Sequence, residues 1–144
     1  MLGRRSYTTK EFDDAHAAIA EQVKAYRAIV KANAGAGAEK KKAAAAIAKF
    51  EPLFFNNLLL ALDRRFVHRI RAVAGKDANP LNEVELLCTS LMDDDGILTK
   101  STVLKLDPDE SATKIQLGER IELTAEQFDR LCAAFFAELK TRFV

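Results

Sequence analysis

Apolar residues recur every three or four positions along most of the chain, which is the spacing of one face of an amphipathic helix. This spacing predicts helices over about 9–34, 38–50, 53–74, 80–91 and 125–142. Two glycines in 33–37 end the first helix, because glycine readily takes the left-handed conformation of a helix C-terminus. Pro52 cannot continue a helix without losing a hydrogen bond, so we predict a break or sharp kink at Glu51.

The helix over 53–74 is the most apolar and is predicted to form the centre of the fold. At 100° per residue, six of its large apolar side chains fall on one side: Phe55, Leu59, Leu62, Phe66, Ile70 and Val73. A similar stripe on the first helix runs from Phe12 to Val30. Capping patterns mark the starts of three helices. They are Thr8 or Thr9 before the first helix, Asn79 followed by Pro80, and Thr124 with Gln127.

After the turn-forming segment 93–96, the apolar period changes from that of a helix to that of a strand. Apolar and polar residues alternate in 102–107 and 113–117, and a turn-rich segment, 107–111, joins the two runs. This pattern predicts a β-hairpin at about 102–117. The predicted fold is mainly α: a bundle of four to five helices with one antiparallel β-hairpin packed on it, which is α+β in the strict sense.

The composition fits one soluble globular domain over residues 1–144, since 49% of the residues are hydrophobic and 30% are charged. No run of about 18 uninterrupted apolar residues occurs, so we predict no membrane span and no membrane partner. The N-terminal residues lack the apolar run of a secretory signal. Cys88 and Cys132 form no CxxC pair, which indicates reduced thiols in a cytoplasmic protein.

The net charge of +1 hides an uneven distribution of charged residues. Residues 1–76 carry 15 basic and 7 acidic side chains, and residues 77–144 carry 7 basic and 14 acidic ones. The simplest interpretation is that the two halves pack against each other with complementary potentials. Separate basic and acidic faces, or head-to-tail self-association, are the alternatives. A homodimer is consistent with this split and with the exposed edges of the predicted hairpin.

Polar and cationic side chains lie on the face of the central helix opposite its apolar stripe. Asn57, Arg64, His68 and Arg71 fall within about 60° of one another, and Lys76 follows in the next loop. Guanidinium groups offer paired donors that stay charged, which suits a phosphate or a carboxylate. These five residues are the candidate site for a small anionic ligand. A solvated helix face and a contact with another protein are the alternative interpretations.

His16 lies among apolar positions, where a histidine is more often a hydrogen-bonded core residue than a catalyst. Asp13 precedes it by three positions, which is the acid-x-x-His spacing of carboxylate-bridged di-iron bundles. A di-iron site needs a second copy of that motif, and the other histidine, His68, has Arg65 at the matching position. The turn at 93–96 lacks calcium-loop oxygen donors at the first and twelfth positions. We therefore predict no metal site and no cofactor.

Sequence motifs for catalysis are lacking: there is no glycine-rich phosphate loop, nucleophile elbow or HExxH, and no catalytic residue is assigned. The leading hypothesis is a small cytoplasmic helical domain that serves binding or assembly. The alternative is a small-molecule binding protein or small enzyme that uses the face of Arg64, His68 and Arg71. Nucleic-acid binding ranks below both, because lysines cluster at 40–42 without a recognisable reading motif.

Overall fold

Four α-helices make up most of the described chain. They are α1 Thr9–Ala32, α2 Ala38–Ile70, α3 Pro80–Asp93 and α4 Ala125–Phe143. The computed structural model describes residues 6–70, 78–100, 106–107 and 109–144, and for 67–70 it describes the backbone alone. Within these ranges the regular secondary structure is entirely helical, and the helices pack around one apolar core.

The second and third predicted helices form the single 33-residue helix α2, so the break predicted at Glu51 is wrong, and the sharp kink given as its alternative stays a prediction. Pro52 lies inside α2 and supplies no N–H for the carbonyl of Ala48, one helical turn earlier. Because Ala48 is exposed, water can reach that carbonyl and the helix continues through the proline. Burial of the following turn, around Phe55, offsets the lost hydrogen bond. The predicted helix end near residue 74 lies outside the described residues.

The apolar stripe predicted for the centre of the fold is confirmed for the members whose side chains are described. Four of them are at most 2% exposed: Phe55, Leu59, Leu62 and Phe66. The ring of Phe55 lies 5.2 Å from that of Phe128 on α4, between ring centroids. Ile70 and Val73 lie outside the described side chains. The stripe of α1 is buried at Phe12 but exposed at Val30.

The predicted helix starts are confirmed at all three places. The caps are Thr8 for α1, Asn79 for α3 and Thr124 for α4. Each of these side chains accepts a hydrogen bond from a first-turn N–H group that has no acceptor inside its own helix. Gln127 completes a reciprocal capping box with Thr124.

The predicted β-hairpin at 102–117 is wrong. Its first strand lies largely outside the described residues, and its second, 113–117, does not have strand conformation. Lys114 takes a left-handed φ of 60°, which interrupts an extended backbone. The described chain comes nearest to a sheet at one antiparallel bridge between Ile97 and Arg120, at the base of this loop. The described fold is therefore all-helical, with four helices rather than four to five and a hairpin.

A carboxylate on α3 takes the place of the partner strand expected for 113–117. Glu83 is buried and accepts four hydrogen bonds from the loop. The donors are the hydroxyls of Ser111 (2.6 Å) and Thr113 (2.7 Å) and the N–H groups of Ala112 (2.9 Å) and Thr113 (3.3 Å). The alternation that predicted a strand is real, since Ile115 is buried between exposed neighbours. The backbone nevertheless pairs with a side chain instead of with another strand.

Two side chains of α2 hold the segment that leads into α4. Asn56 donates to the carbonyl of Ile121 (2.9 Å) and accepts from the N–H of Leu123 (3.2 Å), as a neighbouring strand would. Glu51 accepts from the N–H of Ala125 (3.2 Å) in the first turn of α4. A carboxylate at this end also interacts favourably with the helix dipole. α2 therefore fixes the position at which α4 begins.

The composition of α2 also bears on membrane insertion. Among the described residues, one stretch of helix, Ala38–Phe66 in α2, is long and apolar enough to cross a membrane. Only 22% of its most apolar window is buried. Because the core helix of a soluble protein passes the same test, length and composition alone assign no span.

Candidate functional site

The residues predicted to bind an anion are only partly described. Asn57 and Arg64 are both exposed, on the side of α2 away from the buried stripe. The side chain of His68, and Arg71 and Lys76 entirely, lie outside the described residues. Three cavities among the described residues are lined by other side chains. An anion site on this face therefore stays a prediction.

The largest of these three cavities is a groove of about 480 Å³ between α1 and α4. Apolar side chains form most of its base, chiefly Ile19, Val23 and Phe128. Ala20 on α1 and Ala133 on α4 also line it. Pockets of roughly 300–1,000 Å³ are typical of sites that bind small molecules, so the volume is sufficient for binding.

The groove arises from the side chains that α1 places beside α4. Its α1 wall comes from positions 16, 19, 20, 23, 24 and 27, which recur at steps that share one helix face. Ile19 is buried and Val23 half-buried in the core, whereas Ala20 beside them leaves space. Ala133 leaves further space on α4. Protein interiors are otherwise close-packed, so small side chains at these two places leave the surface concave.

Charged side chains line one end of the groove. Arg27 donates a hydrogen bond to the carboxylate of Asp129, and this ion pair bridges α1 and α4. The hydrogen bond to Asp129 raises the pKa of Arg27. The pair joins the basic N-terminal half of the chain to the acidic C-terminal half. Lys24 precedes Arg27 by three residues and makes no ion pair with another described residue.

His16 lines the other end of the groove on α1. Its side chain is exposed, so the interpretation of this histidine as a buried core residue is wrong. Two aromatic rings flank it, Phe12 at 6.3 Å and Phe136 at 4.9 Å between ring centroids. His16 therefore packs on apolar neighbours while its polar edge reaches solvent, as amphipathic side chains do.

Cys132 lines the groove from α4 and is a free thiol, as is the buried Cys88. Burial, followed by the negative charge of Asp129, raises the pKa of the Cys132 thiol to about 12. A thiol with this pKa is protonated at neutral pH, and the protonated form is a poor nucleophile. The presence of Cys132 and His16 in one groove therefore does not create a reactive cysteine.

We expect Cys132 to react slowly with iodoacetamide in the folded protein. At pH 8 its thiolate fraction should be lower than that of an unperturbed thiol by roughly a thousandfold. The Cys88→Ala variant isolates this thiol, and mass spectrometry measures its alkylation between pH 8 and 10. The rate should rise about tenfold per pH unit across this range, while that of the urea-unfolded chain levels off. Equal rates in the folded and unfolded chains would contradict the raised pKa.

A second cavity, of about 210 Å³, lies at the start of α4. Arg27 lines both cavities, so the two are neighbours. In the second, the hydroxyl of Tyr26 donates to Glu51 at 3.0 Å. Burial, followed by this hydrogen bond, raises the pKa of Tyr26 to about 12, so the phenol is neutral at physiological pH. Glu51 thus accepts from Tyr26 and from the first turn of α4 at once, which gives it a structural role.

The groove could not be identified from the sequence alone. Ile19 and Val23, which line it, belong to the apolar stripe predicted for the first helix, and Cys132 was predicted to be a reduced thiol. His16 was interpreted as more often a core residue than a catalyst. The charged residues Lys24, Arg27 and Asp129 received no role. The signal that could have located the groove is alanine beside the buried stripes of two long helices, at positions 20 and 133.

No metal centre is evident in the part of the chain that the structure describes, since no three His, Cys, Asp or Glu side chains there are grouped to hold an ion. Comparisons of the chain with protein-family models, curated proteins and solved structures find no match. The function is therefore inferred from the geometry of the groove and its surroundings.

Proposed function

We propose that this protein is a helical binding domain whose α1–α4 groove accepts the apolar face of an amphipathic helix from a partner protein. The observation that carries the proposal is an open, largely apolar groove of about 480 Å³ between two long helices. Helix-in-groove recognition uses this arrangement, in which apolar anchors of the partner cover the base. The walls belong to helices of 24 and 19 residues with capped first turns, so the surface is preformed.

The groove matches about three turns of a partner helix in length. Its α1 wall runs from His16 to Arg27, and eleven helical rises of about 1.5 Å span about 16 Å. Over that distance a partner helix presents anchors at i, i+3 or i+4, and i+7. Three such anchors can lie along the base formed by Ile19, Val23 and Phe128.

The charges at the rim favour a partner helix with acidic residues beside its apolar face. Lys24 and Arg27 place two cations along the α1 rim, and Asp129 is already engaged by Arg27. Within the described part of the chain Lys24 has no ion-pair partner, so a carboxylate of the partner can pair with it. Rim contacts of this kind contribute more to specificity and association rate than to affinity.

The protonation states of two groups in these cavities, the thiol of Cys132 and the phenol of Tyr26, favour binding over catalysis. The raised pKa of Cys132, about 12, keeps its thiol protonated at neutral pH. The Tyr26 phenol, also with a pKa of about 12, stays neutral. General acids and bases work best when their pKa lies near the operating pH, and both groups have moved away from it.

The test uses two fluorescein-labelled model helices of 18 residues. They share a leucine face and differ in the polar face, which carries glutamate in one and lysine in the other. Fluorescence anisotropy measures their binding to the protein and to Ala133→Leu, which fills part of the groove. Ala137→Leu is the matched control, one turn further along α4 at an exposed position outside the groove.

We expect the glutamate helix to bind at least about fivefold more tightly than the lysine helix at low salt. Ala133→Leu should weaken this binding about tenfold or more, because its side chain occupies space that an anchor needs. Ala137→Leu should leave binding unchanged. Failure of both helices to bind at about 100 μM protein, or equal effects of the two substitutions, would overturn the proposed function.

A further inference from the structure

The ends of α1 and α2 that meet at the loop 33–37 form a two-helix arm over residues 29–50. Every residue of α1 from 27 to 32 is exposed. In α2 from 38 to 50, the partly buried residues are Lys40, Ala43 and Ile47, which share one helix face. The Lys40 ammonium donates to the carbonyl of Ala32 at 2.9 Å, so this face is turned towards α1. The two helices of the arm thus pack against each other on one face, and their other faces are exposed to solvent.

The arm is strongly cationic. It contains Lys31, the three lysines 40–42 and Lys49, against one acid, Glu39, for a net charge of +4. Lys41 and Lys42 are both exposed, and as successive helical residues they point about 100° apart. The arm therefore supplies half of the net charge of +8 that residues 1–76 carry.

Large apolar side chains are exposed where the arm joins the core. On α2, Phe50 is 48% exposed and Leu53, in the next turn, is 63% exposed. On α1, Ile29 and Val30 are 52% and 38% exposed. The ring of Phe50 stacks on that of Phe54 at 5.5 Å between centroids, so its position is fixed by packing. Exposed apolar groups of this size, next to cations, indicate an interaction surface.

We propose that the arm binds the surface of an anionic lipid bilayer, with its lysines among the headgroups and Phe50 and Leu53 at the boundary with the acyl chains. Peripheral membrane-binding helices combine these two features. The lack of an uninterrupted apolar run of about 18 residues led to the prediction of no membrane partner. In the structure, cationic and exposed apolar side chains share one arm. This surface is separate from the α1–α4 groove.

A bilayer fits the arm better than a nucleic acid or a second copy of the chain does. The phosphate backbone of a nucleic acid would use the lysines but would gain nothing from contact with Leu53. The acidic half of a second copy would present fixed carboxylates, which cannot meet lysines that point in several directions. On α2, Lys42 and Lys49 lie within about 40° of Leu53 around the helix, so one bilayer surface with mobile anionic headgroups can meet both lysines together with Leu53.

The core limits how deeply α2 can enter the bilayer. α2 is long and apolar enough to cross it by composition, but Phe55, Leu59 and Leu62 are fully buried against the rest of the fold. These side chains would have to leave the core before α2 could span the membrane. The contact is therefore peripheral, restricted to the arm and the turn that contains Leu53, and sensitive to salt.

Vesicle flotation with the full chain tests the proposal. One set of vesicles contains phosphatidylcholine alone, and the other contains about 30% phosphatidylserine, which supplies the negative surface potential. We expect binding to the anionic vesicles, and a partition coefficient that falls roughly tenfold or more between about 50 and 500 mM NaCl. Binding to the neutral vesicles should be at least about tenfold weaker.

Two double variants test the apolar contribution. Phe50→Ser with Leu53→Ser should lower partitioning onto the anionic vesicles about tenfold or more. The matched control is Met92→Ser with Leu117→Ser, which removes two apolar side chains that are 69% and 50% exposed outside the arm. This control should partition as the unaltered chain does. Thermal unfolding confirms that all variants are folded.

A second pair of double variants tests the contribution of charge. Lys42→Gln with Lys49→Gln should lower partitioning about tenfold or more, because both lysines are exposed beside Leu53 and each lysine near an anionic surface contributes to attraction. Lys100→Gln with Lys140→Gln makes the same change in net charge at two exposed positions outside the arm. Its effect should be less than about twofold.

Three outcomes would overturn the proposal. The first is equal binding to the two kinds of vesicle, or an equal decrease in partitioning for the arm variants and their controls. The second is tighter binding to a 20-base-pair DNA duplex than to vesicles. The third is a dimer in sedimentation velocity that Phe50→Ser with Leu53→Ser dissociates, without vesicle binding. Ala133→Leu should float normally, so failure of the groove and failure of the arm are distinguishable.

Discussion

Replacement of Glu83 by alanine is expected to lower the free energy of unfolding by about 3–5 kcal/mol. Four donors from 111–113 converge on this buried carboxylate at 2.6 to 3.3 Å. Alanine would leave two hydroxyls and two N–H groups without their acceptor, and each unsatisfied buried donor costs about 1–3 kcal/mol. In a chain of this length, 1 kcal/mol corresponds to about 2–4 °C in Tm.

Urea unfolding followed by circular dichroism measures the effect of Glu83→Ala. Glu83→Gln keeps the size of the side chain and one acceptor oxygen but turns an NH₂ group towards the donors. It should therefore lower the free energy of unfolding by about half as much as Glu83→Ala does. Glu122→Ala, at an exposed position before α4, should change the free energy of unfolding by less than about 0.5 kcal/mol. A loss below about 1 kcal/mol for Glu83→Ala would show that the loop is held without the carboxylate.

Phe55→Ala is expected to have an effect of similar size, about 3–5 kcal/mol of unfolding free energy. Phe55 is fully buried, and the rings of Tyr26, Phe54 and Phe128 lie 4.9, 5.0 and 5.2 Å from its centroid. Alanine would leave a cavity where α1, α2 and α4 meet, because the neighbouring rings relax only partially. It would also remove edge-to-face ring contacts, which stabilise beyond the area they bury.

Leu53→Ala is the matched control, two residues earlier on the same helix. Leu53 is 63% exposed. Its truncation should change the free energy of unfolding by less than about 0.5 kcal/mol in the same urea experiment. Phe55→Ala and Leu53→Ala therefore distinguish the side of α2 that holds the core from the side proposed to meet lipid. Equal losses in the two variants would show that this assignment of faces is wrong.

The helices and their starts could be predicted from the sequence because both depend on residues that are close along the chain. A cap such as Thr8 acts on an N–H group three residues later. The stripe from Phe55 to Phe66 follows from the helical repeat alone, and it is buried. The break at Glu51 was predicted from one local rule, and packing of the turns after Pro52 overrides that rule.

The loop before α4 could not be predicted, because its conformation depends on a contact between distant residues. Ser111 bonds to Glu83, which is 28 positions away. Alternation of apolar and polar residues indicates which side chains face inward, and it is correct for Ile115. It does not indicate whether the backbone N–H groups donate to a strand or to a carboxylate.

The groove and the arm could not be predicted because both depend on which surfaces stay uncovered after the helices pack. Val30 belongs to an apolar stripe that predicts burial, yet it is exposed in the arm. The gap beside Ala20 appears only when α4 is placed next to α1. The anion-binding face that includes Asn57 and Arg64, the homodimer and the cytoplasmic location stay predictions.

Because α2 is continuous, it connects the arm directly to the core, and a movement of one shifts the other. Lys41 lies fourteen residues before Phe55, or about 21 Å along the helix axis. A tilt of about 10° around Phe55 would move that lysine by roughly 4 Å. Glu51 accepts a hydrogen bond from the first turn of α4. A movement of the arm would therefore be transmitted to α4, which forms one side of the α1–α4 groove. α2 should bend most easily at Pro52, because one backbone hydrogen bond of the helix is missing there.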